Sequence, residues 1–174
     1  MSDSFNIREA KTADALAIAL LHVNTFNETH GAFNAPTLDT REWQWQKAFR
    51  ANDGTWFCFV IEKKDGALIG FAKGQPYSHI DHPQFAGELN KIYLLRAYHK
   101  MGLGRQLICK VFLEFMRRGI TSMLLFGDAS NPSNKFYEQM GAKKLIGKNG
   151  AFDGGYGWTD LEKLAARCRN ASPA

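Results

Sequence analysis

Two short stretches of the chain hold side chains whose types and spacing suit chemistry. The first runs from Glu88 to Leu107 and reads ELNKIYLLRAYHKMGLGRQL. It is a strand pattern, a tight basic loop, and a helix entered through Gly102 and Gly104. The first turn of a helix has free backbone N–H groups and a partial positive charge. Glycine at that point lets a phosphate approach the backbone closely. His99, Lys100 and Arg105 add donors around it, and the ensemble suits a pyrophosphate. The spacing is neither that of a P-loop nor that of G-x-G-x-x-G, which would need glycine where Leu107 stands. Taken alone, the stretch reads equally well as a helix that starts on glycine.

The second stretch is NPSNKFYEQMGA, Asn131 to Ala142. Tyr137 sits there on a short helical pattern just after a strand. A phenol, with an ordinary pKa of about 10, is protonated at neutral pH and can donate to a departing thiolate. Phe136 and Met140 read as the packed face of that helix. Asn131 can donate and accept at once, or cap the helix. Glu88 opens the strand of the first stretch. It is either a proton acceptor or a solvated carboxylate at a strand end. His22, His30, His79 and His82 could line a substrate side, with His22 more simply a half-buried helix residue. No third ligand accompanies His79-x-x-His82, so no metal is expected.

These residues need a scaffold to position them. Phe5 to Glu9 alternates as a short strand does. Thr12 can cap a following helix that carries Leu16, Leu20 and Val23 on one stripe. A second helical pattern holds Trp43, Trp45, Lys47, Phe49 and Arg50. Thr55 to Glu62 and Ala67 to Gly74 are strands joined by the hairpin signal Asp65-Gly66. Residues 76–85 read as a loop, Glu88 to Leu95 as a strand and Gly102 to Gly119 as an amphipathic helix. Ser122 to Phe126 is a buried strand and Asn131 to Met140 a short helix. Ala142 to Ile146 and Gly155 to Leu161 are the last strands. Residues 163–174 read as a flexible tail, and one domain spans 1–174.

The 174 residues carry 22 basic and 17 acidic side chains, a formal charge of +5. The surplus is small, and no Lys/Arg run is interleaved with aromatics, so nucleic acid is not an expected partner. No apolar run approaches the length of a membrane span, and no apolar leader opens the chain. Cys58, Cys109 and Cys168 are odd in number and widely spaced. That pattern argues for free thiols in a reducing, cytoplasmic setting and against a disulfide framework.

The two stretches together resemble the GNAT superfamily of acetyl-CoA-dependent N-acetyltransferases. The family's cofactor motif, [Q/R]-x-x-G-x-[G/A] after a strand, corresponds to HKMGLG at His99 to Gly104. Its following motif corresponds to Asn131, Phe136-Tyr137-Glu138 and Gly141. FNIREAKTADALAIALLHV resembles the first strand and helix, and GGYGWTDL the last strand. Two departures stand out: His99 replaces the usual Arg or Gln, and Arg96 stands where proline is common.

The resemblance implies a single α/β domain, with a mixed, mostly antiparallel sheet of about seven strands flanked by helices. It implies acetyl-CoA as co-substrate and direct amine attack through a tetrahedral intermediate. Leu94, Leu95 and Arg96 would line the pantetheine arm. His99, Lys100, Met101, Gly102, Leu103, Gly104 and Arg105 would surround the pyrophosphate. Asn131 would bond the pantetheine amides, with Phe136 beside the cofactor. Tyr137 would act as general acid and Glu88 as general base. Phe26, His30 and Trp43 fall where relatives shape the acceptor pocket. The acceptor is a small amine, an amino acid, an antibiotic or a protein N-terminus. A homodimer is compatible with this reading. The alternative is an acyl-CoA-binding sensor or adaptor without catalysis.

Overall fold

The computed structural model describes residues 4–33 and 35–170. The strands are β1 (Phe5–Glu9), β2 (Phe57–Lys63), β3 (Leu68–Pro76), β4 (Gly87–Leu94), β5 (Met123–Leu125), β6 (Lys143–Ile146) and β7 (Phe152–Trp158). The helices are α1 (Ala15–His30), α2 (Leu38–Arg50), α3 (Leu103–Arg117), α4 (Asn134–Gln139) and α5 (Leu161–Asn170). The strands form one sheet in the order β1-β2-β3-β4-β5-β7-β6. The β4–β5 pair is parallel, whereas β1–β2, β5–β7 and β6–β7 are antiparallel. The mixed seven-stranded α/β architecture expected from the sequence is therefore the one observed.

Backbone proximity groups the chain into two compact units, Met1–Lys73 with Lys91–Leu107, and Gly74–Asn90 with Ile108–Ala174. In the first, β1 and β2 pair from Phe5↔Lys63 to Glu9↔Phe59. The Asp65-Gly66 hairpin forms as read, with Gly66 at φ 85°. Ile18, Ala19 and Leu21 of α1 pack with Trp45 of α2 and with Cys58, Val60 and Phe71 of the strands. Asp14, rather than Thr12, organises the entry to α1. Its carboxylate accepts the Lys11 N–H at 2.7 Å and both terminal nitrogens of Arg8 at 2.8 and 3.0 Å. Arg8 also reaches Glu62 at 2.8 Å, which ties β1, β2 and the start of α1 together. The guanidinium holds the Asp14 carboxyl below its usual range.

In the second unit, β5 lies between β4 and β7, and Met123, Leu124 and Leu125 are all buried. Ile108, Val111, Phe112 and Phe115 of α3 are fully buried, and Phe112 meets Trp158 edge-on at 5.9 Å. Burying one such side chain is worth roughly 1.5–3 kcal/mol. Gly157 of β7 faces Phe85, and a Cβ there would lie 2.3 Å from the ring. The loop 77–86 can seat its ring on the sheet only because that position is glycine.

Two expectations are corrected here. Residues 163–170 are not a flexible tail but most of α5, while 171–174 lie outside the described residues. The last strand correspondingly runs Phe152–Trp158, and Leu161 already belongs to the helix. Asp160 caps it, accepting the Lys163 N–H at 3.0 Å, and buried Leu161 and Ala165 hold it down. The cysteines are not all free either. Cys109 of α3 and Cys168 of α5 form a disulfide with a Cα–Cα distance of 5.6 Å. The pairing depends on α5 being a helix, because Cys168 follows Leu161 by two turns on the buried stripe. Only Cys58 remains a free thiol; it is buried, and burial raises its pKa.

The bond closes a loop with a sequence separation of 59 residues. Chain-entropy reasoning assigns about 4 kcal/mol to a loop of that size, less whatever native strain takes back. Replacing both cysteines by serine should therefore lower the unfolding free energy in urea by about 2–4 kcal/mol relative to oxidised protein. Equal stability of the two forms would show that the crosslink contributes nothing.

Candidate active site

The junction between β4 and α3 lies in the first unit and is built around a helix start. β4 ends at Leu94, and the Leu95 N–H donates to the Ile69 carbonyl at 2.9 Å. A 3-10 turn, Arg96–Tyr98, then redirects the chain. Lys100 and Gly102 both take left-handed backbone conformations, at φ 62° and 77°. Glycine is needed at 102 for that φ, since a Cβ there would meet nothing within 4 Å. Gln106 N–H donates to the Gly102 carbonyl at 3.1 Å. The N–H groups of Leu103, Gly104 and Arg105 precede that bond and have no acceptor inside the helix. Buried Leu103 and Leu107 anchor this first turn, while Lys100, Met101 and Arg105 are exposed.

Both departures from the motif have a structural role. His99 Nε2 is 2.8 Å from the Leu94 carbonyl. A carbonyl only accepts, so the imidazole donates, and it staples the loop to the end of β4. Arg96 donates its backbone N–H to Glu28 Oε2 at 3.0 Å, and its guanidinium donates to the Glu28 carbonyl. That residue fastens the turn after β4 to the last turn of α1.

Glu88 lies in the second unit, half-buried, paired in register with Leu124. Its two carboxylate oxygens accept from Gln75 Nε2 at 2.8 Å and Asn90 Nδ2 at 3.2 Å. Tyr137, in the same unit, is the buried residue of α4, at 7% exposure. Its ring packs against Phe136, Tyr156 and Trp158. Phe136 and Met140 are half-buried, so the packed face of α4 is centred on Tyr137 itself. Tyr156 donates to Glu138 at 2.8 Å; burial and that carboxylate push its pKa up to about 12. Asn131 Oδ1 accepts the Ser133 N–H at 2.8 Å, forming the turn into α4, which begins at Asn134 rather than Asn131.

The acceptor-side candidates lie on α1 and α2. Phe26 and His30 stack one helical turn apart, ring centroids 4.7 Å, with Arg41 over the Phe26 ring at 5.7 Å. Trp43 of α2 is 61% exposed. It lines a shallow groove of about 270 Å³ with Lys47, Arg50 and Ala51. His22 is core, not half-buried: it is 2% exposed and accepts from Trp45 Nε1 at 3.3 Å. Gln75 and Asn90, the partners of Glu88, and the rings of Tyr77 and Phe126 belong to no sequence motif. Their signal was only period-two spacing along strands whose pairing was unknown.

The profile of the acetyltransferase (GNAT) family matches residues 21–142. The uncharacterised N-acetyltransferase YuaI of Bacillus subtilis (strain 168) is 29% identical over 168 residues, covering 91% of this chain and 95% of that protein. The PaiA N-acetyltransferase of Thermoplasma acidophilum, solved in complex with coenzyme A, superposes with a TM-score of 0.66 at 17% identity, covering 88% of this chain and 98% of its own. The yncA structure from Salmonella typhimurium, solved with acetyl-CoA, gives 0.66 at 20% identity and covers 98% of each chain. At these identities the structural likeness is one of fold.

His22 generates a test of the first unit's core. Burial, then Arg41 and Lys91, lowers its pKa from 6.5 to about 3. The unfolded chain therefore takes up a proton below about pH 6.5 that the folded chain refuses until about pH 3. Stability from this site is complete above that range and falls by roughly 1.4 kcal/mol per pH unit as pH drops through it. His22→Asn keeps an acceptor for Trp45 but does not titrate. Its stability deficit relative to wild type, measured in urea, should shrink steadily between pH 7 and pH 4. A constant deficit would remove His22 from the acid response.

Proposed function

Since the chain belongs to the acetyltransferase (GNAT) family, we propose that it moves an acetyl group from acetyl-CoA to a primary amine. The observation that carries this reading is the start of α3. Three N–H groups without helical acceptors follow a left-handed turn, flanked by exposed Lys100 and Arg105. A pyrophosphate is the kind of anion that fits such a donor set. Two of the similar structures were solved with coenzyme A or acetyl-CoA.

Acetyl-CoA supplies the activated acetyl thioester; the chain supplies grip and proton traffic. The N–H groups of Leu103, Gly104 and Arg105 hold the pyrophosphate, with His99, Lys100, Met101 and Gly102 framing it. Leu94, Leu95 and Arg96 align the pantetheine arm, and a main-chain N–H near Leu94 polarises the thioester carbonyl. Asn131 keeps its capping bond through Oδ1 and offers Nδ2 to a pantetheine carbonyl. Phe136 packs beside the cofactor. Glu88 takes the proton of the attacking amine, and Tyr137 protonates the leaving thiolate. Gln75 and Asn90 hold the Glu88 carboxylate in place.

Acetyl-CoA should raise the melting temperature where NAD and ATP at equal concentration do not, and thiol release should follow on adding an amine. Gly104→Val should abolish most of that shift while circular dichroism stays unchanged, because a branched side chain obstructs the helix start. Stabilisation by NAD but not by acetyl-CoA would overturn the reading, and undiminished affinity of a folded Gly104→Val would move the phosphates elsewhere.

Tyr137→Phe keeps the packed ring and removes one donor. Single-turnover acetyl transfer should slow by at least about tenfold while acetyl-CoA affinity stays within a few-fold. An unaltered rate would leave Tyr137 as core alone.

A further inference from the structure

One face of the second unit's sheet carries an aromatic cluster that the proposed chemistry does not use. Glu88 pairs with Leu124 across the parallel β4–β5 ladder, so the two side chains leave the sheet on the same side. Phe126 follows Leu124 by two residues and falls on that side as well. Gln75 bonds Glu88 directly, and Tyr77 follows Gln75 by two, with its N–H donating to the Ala86 carbonyl at 2.8 Å. Period two therefore gathers Gln75, Tyr77, Glu88, Asn90 and Phe126 on one face.

The rings meet there. Phe126, 55% exposed, lies 5.9 Å from Tyr77 and 6.0 Å from His82, centroid to centroid. The loop that brings Tyr77 and His82 over Phe126 is held at its far end by Phe85, seated against Gly157. Ser122 fixes it again, accepting the Ala86 N–H at 3.2 Å and donating to the Gln84 carbonyl at 3.0 Å. The result is a pre-formed, half-open ring cluster on the same face as a hydrogen-bonded carboxylate. Glu88 brings a carboxylate to this face, whereas Asp81 in the loop is ion-paired with Lys148 at 3.2 Å. An approaching ammonium is drawn to such a place.

We propose that Phe126, Tyr77 and His82 form the acceptor subsite and take the aromatic group of an arylalkylamine, with Glu88 receiving the nitrogen's proton. The inference rests on the acetyltransferase reading and names its substrate class. Strand spacing supports it. One inter-strand step and two residues along β5 separate the Glu88 and Phe126 backbones by roughly 8 Å. A two- or three-carbon chain between ring and nitrogen suits that span. Bound as an ammonium, the amine first releases one proton to solvent by way of Glu88; the neutral nitrogen then gives up a second as its bond to the acetyl carbon replaces the carbon–sulfur bond, and the thiolate leaves with one proton.

The experiment compares kcat/KM for 2-phenylethylamine and for ethylamine, with acetyl-CoA binding measured separately by calorimetry. Wild type should prefer the aryl amine by at least about tenfold, and Phe126→Ala should cut that preference at least about fivefold, chiefly through KM. Phe126→Leu, which keeps apolar bulk at the strand end, serves as the folded control and should also lose part of the preference. Normal acetyl-CoA binding and amine turnover without an aryl preference, or a preference that survives both substitutions, would overturn this subsite and leave the acetyltransferase reading intact. Absence of acetyl-CoA binding would overturn both.

Discussion

A helix cannot bond its own first amides, and the start of α3 shows that constraint turned outward. A few residues of the first unit set the geometry of that start. Left-handed Lys100 and Gly102 set the turn, and buried Leu103 and Leu107 root it. His99 ties it to the end of β4, and Arg96 ties the preceding turn to Glu28 of α1. The departures from the family's usual motif therefore act on loop geometry. In the proposed reading, charge for an anion would come from the amides, the helix dipole and the neighbouring Lys100 and Arg105.

The second unit depends on a different constraint, close packing. Trp158, Tyr156, Phe112 and Phe115 are each essentially fully buried, and they crowd around a sheet in which Gly157 admits the Phe85 ring. Tyr137 is embedded in that packing, so its orientation is inherited from Tyr156 and Trp158. The Cys109–Cys168 crosslink joins α3 to α5 within the same unit. Rigidity of this kind would suit the proton donor proposed at Tyr137, because a positioned group loses little freedom during reaction.

What the sequence made legible follows from how local each signal is. The first six strands, the Asp65-Gly66 hairpin and the glycine-entered helix rest on neighbouring residues, and they appear within a few residues of where the pattern put them; the last strand does not, because its expected end belongs to α5. Glu88 and Tyr137 stood out as candidates by type and by resemblance, and their roles remain part of the proposal. The disulfide was not, because Cys109 and Cys168 meet only through the packing of two helices far apart in sequence. Yet α5 had readable signs: the Asp160 cap, the stripe of Leu161, Leu164, Ala165 and Cys168, and arginines in its last turn. His22 read as half-buried because its helix is apolar on more than one face. Only the approach of Trp45, Phe71 and Tyr93 decides its burial. The cluster at Tyr77 and Phe126 required strand register, which no single stretch encodes.

The proposed anion site consists of particular backbone atoms, and amide NMR observes them. In a ¹H–¹⁵N titration with coenzyme A, the amides of Leu103, Gly104 and Arg105 should show the largest shifts, downfield as expected for donation to an anion. Pantetheine, which lacks the pyrophosphate, should leave those three nearly unmoved. Saturable coenzyme A binding that perturbs other amides and leaves the start of α3 unchanged would contradict the account.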